Sequence, residues 1–361
     1  MPYWSLYLEA RGFSYLQIAT LMATIQLTKV VAPNLWGWIG DRTGRRVQLV
    51  RLGAVAGALC FLGVFLDTGF YGLLLVMLAF TFFWNAILPL YEVITLQGMG
   101  RDRERYGRVR LWGSVGFIVS VAGIGWLLDL LPLTTLPWLL LPLFAGIAIS
   151  TLLIPAETAT TRPKRVRGSL KAIVADPSVL AFFAMNILLQ VSHGAYYTFF
   201  SIHLEKLGYD KLAIGLLWSL GVFAEIILFI FMHRLLRRFT VRQIALTAVA
   251  LTLLRWGMIA EVSSVLVLLI IAQCLHAASY GALHAISVHY IHGYFGEQHH
   301  GQGQALYSGL TFGAGGAVGA WMSGFIVDAY GTPPAFWASA GAMAVAFVVA
   351  WCWLRPPPRP A

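Results

Sequence analysis

Five ionisable side chains fall where water should be scarce. Lys29, Glu92, Glu225 and Arg255 each sit inside a long apolar run, and Arg110 lies near the start of another. A charge at the centre of a membrane helix costs about 2.5–3.5 kcal/mol on insertion scales. Such residues persist when they pair or face a water-filled cavity, where they can hold a charged solute or carry a proton. Opposite signs on consecutive runs make two pairs available, Glu92 with Arg110 and Glu225 with Arg255. Polar stripes accompany them. Asn85 and Glu92 are seven apart, and Asn186, Gln190, His193 and Tyr197 fall at i, i+4, i+7 and i+11. Gln273, His276, Tyr280 and His284 fall at i, i+3, i+7 and i+11. Each stripe keeps to one face of a 3.6-residue helix, so a shared cavity is expected.

The elements that must position these residues are membrane helices. The chain is 59% hydrophobic and 11% charged, with a mean hydropathy of +0.75. That balance lies outside the range of soluble globular proteins. Apolar runs of roughly 20 residues, each able to cross about 30 Å of hydrocarbon, are read at 15–39, 47–66, 71–98, 109–130, 135–155, 179–201, 211–233, 242–260, 263–291, 303–328 and 333–354. The expected fold class is an all-α polytopic membrane protein.

Charge sets the expected topology. Twenty of the 25 Lys and Arg residues lie on alternate breaks, clustered at Arg42 to Arg51, Arg101 to Arg110, Arg162 to Lys171 and Arg234 to Arg242, with Arg355 and Arg359 at the tail. The opposite breaks hold Arg11, Lys206 and Lys211. The basic side is expected in the cytoplasm, with the central linker and the C-terminus. The net charge of +10 is then a signal to the lipid bilayer, and nucleic acid is excluded as a partner. Cys60, Cys274 and Cys352 lie in or beside apolar runs, so no disulfide framework, metal or cofactor is expected.

WSLYLEARGF at 4–13 returns as FSIHLEKLGY at 200–209. Ser5, Leu8, Glu9 and Gly12 recur as Ser201, Leu204, Glu205 and Gly208, and the same shift of 196 lays Gly107, Gly113 and Gly123 on Gly303, Gly309 and Gly319. A constant offset over that distance implies a duplicated half. The expected organisation is a bundle at 1–155, a polar linker at 156–178 and a second bundle at 179–361. The second copy has a full apolar run ahead of it, whereas the first has Met1–Tyr3, so the chain is expected to begin about one helix late. Its start lacks the basic-then-apolar pattern of a signal peptide. Glycines crowd the runs at 109–130 and 303–328, which predicts close helix contacts, either fixed or sliding between the halves.

The loop between the first two runs reads Gly37-Trp38-Ile39-Gly40-Asp41-Arg42-Thr43-Gly44-Arg45-Arg46. It resembles the G-x-x-x-D-R-x-G-R-R signature of the major facilitator superfamily, with no position missed. A glycine-containing turn lets its helices pack, while Asp41 can accept from amides or from an Arg in a clasp expected to hold one gate closed. The equivalent stretch Met232 to Arg238 has no acid, so the first half is expected to dominate gating. Tyr106 to Phe117, Gln273 to Ile291 and Gly303 to Ser308 narrow the resemblance to the 3-phenylpropionic acid permease-like and, more loosely, lactose permease-like proton symporters.

That resemblance implies two pseudo-symmetric six-helix bundles around a cavity lined by the striped helices. It also implies roles. Glu92 and Arg110 match an acid and an Arg that bind sugar in the lactose permease; Glu225, Arg255 and His276 match groups that connect binding to proton movement. Ser279 stands where that permease has a proton-carrying Glu, so Glu225 becomes the expected carrier, followed by His276 or His284. Lys29 resembles a basic residue of the phenylpropionate group.

The expected function is secondary active transport, a proton symport of a small organic solute by alternating access. The expected substrate contacts are Lys29, Asn85, Glu92, Arg110, Asn186, Gln190, His193, Tyr197, Gln273 and Tyr280. Coupling is expected at Glu225, Arg255, His276 and His284. One excess positive charge among Lys29, Arg110 and Arg255 favours an aromatic carboxylate, with a nucleoside or sugar as the alternative. An intramembrane enzyme using His193, His276 and His284 lacks any H-E-x-x-H motif, and an inactive truncated product is a third reading. The partners are then the solute, protons and lipid, for a monomer in a bacterial inner membrane.

Overall fold

A computed structural model describes residues 2–99, 106–155 and 170–356. Its regular elements are all helices: α1 (Trp4–Ala10), α2 (Tyr15–Thr43), α3 (Arg46–Phe61), α4 (Gly69–Gly98), α5 (Tyr106–Leu130), α6 (Leu136–Leu152), α7 (Leu170–Val174), α8 (Pro177–Lys206), α9 (Lys211–Arg238), α10 (Val241–Val262), α11 (Leu266–Cys274), α12 (Leu283–Tyr307), α13 (Gly316–Tyr330) and α14 (Thr332–Trp353). π-helical stretches at Ala277–Ala282 and Ser308–Gly315 join α11 to α12 and α12 to α13. Eleven segments among the described residues are long and apolar enough to cross a membrane.

The count matches the expectation; several boundaries do not, and the runs expected at 15–39, 179–201 and 211–233 reach Thr43, Lys206 and Arg238. The runs expected at 263–291 and 303–328 extend to Leu266–Gly296 and Gln298–Tyr330. Gly296, with φ +58°, breaks the helical path between them. Of the expected linker, 156–169 lies outside the described residues, and α8 already begins at Pro177, capped by the Asp176 side chain. Arg101, Arg103, Arg105, Arg162, Lys164, Arg165, Arg167 and Arg359 also lie outside them.

The sequence repeat is a repeat of backbone geometry. Gly12 and Gly208 take φ +81° and +88°, a region that glycine enters without Cβ strain. Their amides donate to Glu9 O and Glu205 O, both at 2.9 Å. The next residues, Phe13 and Tyr209, reach back to Leu8 O and Leu204 O at 3.3 and 3.1 Å. The following helices are then capped by Ser14 and Asp210 side chains. Helix ends elsewhere match as well. Arg51 of α3 donates to Thr151 O, Leu152 O and Ile154 O at the end of α6, and Arg242 of α10 to Trp351 O of α14. These arginines satisfy carbonyls that a helix end leaves without partners.

Packing then differs between the halves. α8 is buried along most of its length against α13 and α14, whereas α5 and α6 expose Trp112, Trp126, Trp138 and Leu153. The crowded glycines divide within each half: Gly125 meets the Lys211 backbone, and Gly309 has no close neighbour. A Cβ on Gly319 would collide with the Val191 carbonyl of α8, and one on Gly194 with the Gly319 backbone. Gly107, Gly116 and Gly123 face open space.

The two halves touch where α2 meets α13 and α5 meets α9. Gly324 packs on Ala19 and Leu16 there, and Asp129 accepts from the Lys211 and Leu212 amides. This is the closed end of the molecule. The Asp41 loop lies at the opposite end of α2.

Candidate functional site

Arg255 on α10 is fully buried, and its partners are neutral. Nε donates to Ala272 O at 3.0 Å, Nη1 to Ser279 Oγ at 3.1 Å and Nη2 to Gln273 Oε1 at 3.1 Å. The rings of Tyr196 and Trp256 flank the guanidinium, with centroids at 4.3 and 4.4 Å. Aromatic faces and carbonyls together hold a cation that water does not reach. The expected pairing of Glu225 with Arg255 is corrected here. Glu225 on α9 instead meets His276, Oε1 to Nε2 at 2.8 Å, in a nearly buried contact. Helix rotation decides this: Gly221, one turn before Glu225, has no side chain, and the His276 ring fills that space.

Ser279 connects the two groups. Its hydroxyl accepts from Arg255 and lies 3.2 Å from His276 O and 3.5 Å from His276 Nδ1. The expected stripe on a 3.6-residue helix is modified by the π-helical turn at Ala277–Ala282. His276, Tyr280 and His284 now stack as a ladder, centroids 5.8 and 5.9 Å apart and planes within 21° and 10° of parallel. π-helical turns recur at functional sites. Tyr280 separates His276 from His284, so the three histidines do not converge as metal ligands would.

A cavity of about 760 Å³ lies between the halves. Lys29, Asn85, Glu92 and Arg110 line one wall, with Tyr280, His284 and Phe312 on the other. Ser150 and Thr151 mark its extension toward the end of the molecule opposite Asp129. Glu92 and Arg110 approach as expected, Oε1 to Nε at 3.7 Å, but both are well exposed. Asn85 donates to Ile25 O at 2.9 Å and to Thr28 Oγ1 at 2.8 Å, which ties α4 to α2. Lys29 Nζ donates to Gln26 Oε1 at 2.8 Å. Among the described residues, no carboxylate lies within 4 Å of it.

The stripe on α8 does not reach this cavity. Asn186 and His193 are fully buried and Gln190 nearly so. Asn186 Oδ1 accepts from Ser287, and His193 Nδ1 lies 2.8 Å from Leu189 O with its ring against Trp256. Tyr197 stacks on Trp218. Gln273 is fully buried too, held by Arg255 and Tyr196. The four residues on α8 point into the interior because α8 is packed on several sides, which a one-faced reading of its polar residues overlooks. Phe312 and Gly221 were missed; a lone apolar residue and a single glycine carry no periodic signal.

A family profile described as "MFS_1 like family" matches residues 1–338. The chain belongs to the MFS_1 like family. It is therefore a transporter of the major facilitator type and not an enzyme. It is 28% identical over 333 residues to a protein of Escherichia coli (strain K12) provisionally named as a 3-phenylpropionic acid transporter, covering 92% of this chain and 87% of that one. It is 24% identical over 306 residues to YegT of the same organism, provisionally named as a nucleoside transporter, covering 81% and 71%. A crystal structure of a mutant of the nucleoside transporter NupG superposes with a TM-score of 0.86 at 17% identity, covering 98% of this chain and 95% of that one, which establishes the shared fold.

The signature loop of this MFS_1 like chain forms a compact local clasp. Gly44 closes α2 with φ +67°, and Asp41 Oδ1 accepts from Arg46 Nη2 at 2.7 Å. Arg42 lies over the Trp38 ring at 4.4 Å, and Arg45 donates its amide to Thr43 Oγ1. Gly40 leaves room for the Arg46 stem; Gly37 has no close neighbour and plays no such part. Asp41 thus fastens α2 to α3 inside one half.

Proposed function

We propose that this transporter is a proton symporter of an aromatic carboxylate, acting by alternating access. Residues 1–155 and 179–361 act as two bundles that rock about the cavity, with 156–178 as their linker. The observation that carries the substrate reading is Lys29, a cavity cation with no acidic partner among the described residues, facing the Tyr280, His284 and Phe312 rings. A carboxylate on Lys29 would gain a charge-assisted bond while an aromatic ring stacks on the opposite wall. Arg110 and Glu92, close to solvent, orient the same solute.

Coupling is assigned to Glu225 and His276. A carboxylate shielded from water is costly to keep charged, so it takes up a proton unless a cation supports it. The His276 contact and the nearby Arg255, reached through Ser279, supply that changeable support. The ladder from His276 through Tyr280 to His284 supports this reading, since it runs from the Glu225 contact to the cavity wall. The bias of basic residues supports an inner-membrane orientation with the Asp41 end, linker and C-terminus in the cytoplasm. One chain supplies both cavity walls, which supports a working monomer.

The test is uptake into proteoliposomes of labelled aromatic acids, nucleosides and sugars, with and without an inward proton gradient. Gradient-driven accumulation of an aromatic acid is the expected result. Similarity to YegT makes nucleosides the competing cargo; accumulation of a nucleoside alone would overturn the substrate reading, and indifference to the gradient would overturn the coupling.

A further inference from the structure

At the closed end, α9 begins with three amides that its own helix cannot satisfy. Asp210 takes one of them, accepting from Ala213 N at 2.6 Å. The other two are taken from across the molecule: Asp129, at the end of α5, accepts from Lys211 N at 2.8 Å and Leu212 N at 2.9 Å, one oxygen to each. A carboxylate there also meets the positive end of the helix dipole. One turn deeper, the Tyr3 hydroxyl lies 2.9 Å from both Val121 O of α5 and Lys211 O of α9. It fits because Gly125 and Gly215 have no side chains at that crossing.

The other crossing between the halves is built differently. The π-helical stretch Ser308–Gly315 and α13 meet α2 through Gly313, Gly316 and Gly324, which bring backbone close to Val30, Gln26 and Ala19. Asp328 ends α13 much as Asp129 ends α5, yet its side chain makes no hydrogen bond or ion pair among the described residues. Polar contact on that side comes from α8 instead, where Lys206 Nζ donates to the Tyr15 hydroxyl at the start of α2 at 2.6 Å, so a carboxylate on helix-start amides marks the α5–α9 crossing.

We propose that Asp129 and Tyr3 form the latch that holds this end shut, so that Asp129 sets the balance between the two access states. The inference rests on the alternating-access reading. Asp129 is a positioning residue: it touches no solute and lies far from Glu225 along the fold. When α5 and α9 separate, the Lys211 and Leu212 amides exchange the carboxylate for water, so the loss is modest and reversible, as a gate requires. A latch of this strength tilts the equilibrium without locking it.

The experiment uses the full chain in lipid nanodiscs, with Cys60, Cys274 and Cys352 replaced by Ser and spin labels at Leu131→Cys and Leu207→Cys. Distances across the closed end are read by double electron–electron resonance. Asp129→Ala should raise the separated population about fivefold, the factor expected for losing a helix cap. Asp129→Glu should restore most of it, and Asp328→Ala should leave the distribution unchanged. An unaltered distribution in Asp129→Ala, or an equal shift in Asp328→Ala, would overturn the latch. If the unsubstituted protein keeps one distance with and without an aromatic carboxylate, alternating access fails and the latch fails with it. Two populations in that protein with no effect of Asp129→Ala fail the latch alone.

Discussion

Each half holds an acid and an arginine on consecutive helices, α4 and α5 in the first and α9 and α10 in the second, and surrounds them differently. In the first half, Glu92 and Arg110 stand 3.7 Å apart with much of each side chain exposed. In the second, Arg255 is sealed between Tyr196 and Trp256, and Glu225 contacts His276 beneath the ladder. An exposed pair interacts weakly and can be opened by an arriving solute. A buried one responds strongly to any change in charge. In the proposed function, the water around them suits the same residue types to binding on one side and to proton coupling on the other.

The sharpest way to break this contrast is to remove each arginine. Arg255→Ala leaves Ser279 and the Ala272 carbonyl without that donor and Gln273 with Tyr196 alone, and should destabilise the protein by about 1–3 kcal/mol for each buried acceptor left unsatisfied. Arg110→Ala should cost under about 1 kcal/mol and act on uptake instead. Thermal unfolding in detergent, run beside transport assays, reads both. Equal destabilisation by the two would remove the distinction.

Lys29 should give the next largest effect. Lys29→Met should weaken binding of an aromatic carboxylate about 10- to 100-fold, the range for losing a charged hydrogen bond, while an uncharged analogue binds as before. Competition binding checks this, and equal loss for both ligands would show that Lys29 serves packing. Tyr280→Ala should lower affinity for the aromatic acid by about tenfold and leave a short aliphatic acid nearly unaffected, which would sharpen the role of the opposite wall.

The smallest effect concerns the repeat itself. Gly12→Ala and Gly208→Ala should each cost about 1 kcal/mol, because both turns need a left-handed residue. Matching losses in thermal unfolding would support equal construction of the two turns; a loss at one alone would show that the halves have diverged there.

Much of the frame was legible in the sequence. Eleven spans, the offset of 196 and the two glycine turns follow from hydropathy and local pattern, which depend on neighbours along the chain. The Glu92–Arg110 approach was legible for a similar reason, since consecutive helices tend to be neighbours. Glu225 and Arg255 show the limit. Their spacing allowed a pair, but the partner was decided by helix rotation and by space at Gly221. The stripe on α8 was real as a pattern, yet α8 is enclosed, so polar spacing alone did not identify the cavity wall. Asp129 and Tyr3 gave no signal because each works on backbone amides or carbonyls of a distant helix, and backbone groups look alike in every sequence.

The central assignment is that protons travel with the second half and the charged end of the solute is gripped by the first. Its most direct test is substrate-induced proton uptake in proteoliposomes, measured beside labelled solute for the unsubstituted protein, Glu92→Gln and Glu225→Gln. The predicted result is an unchanged proton-to-solute ratio in Glu92→Gln, with weaker binding, and exchange without proton movement in Glu225→Gln. Proton uptake that persists in Glu225→Gln, or disappears in Glu92→Gln, would contradict the account.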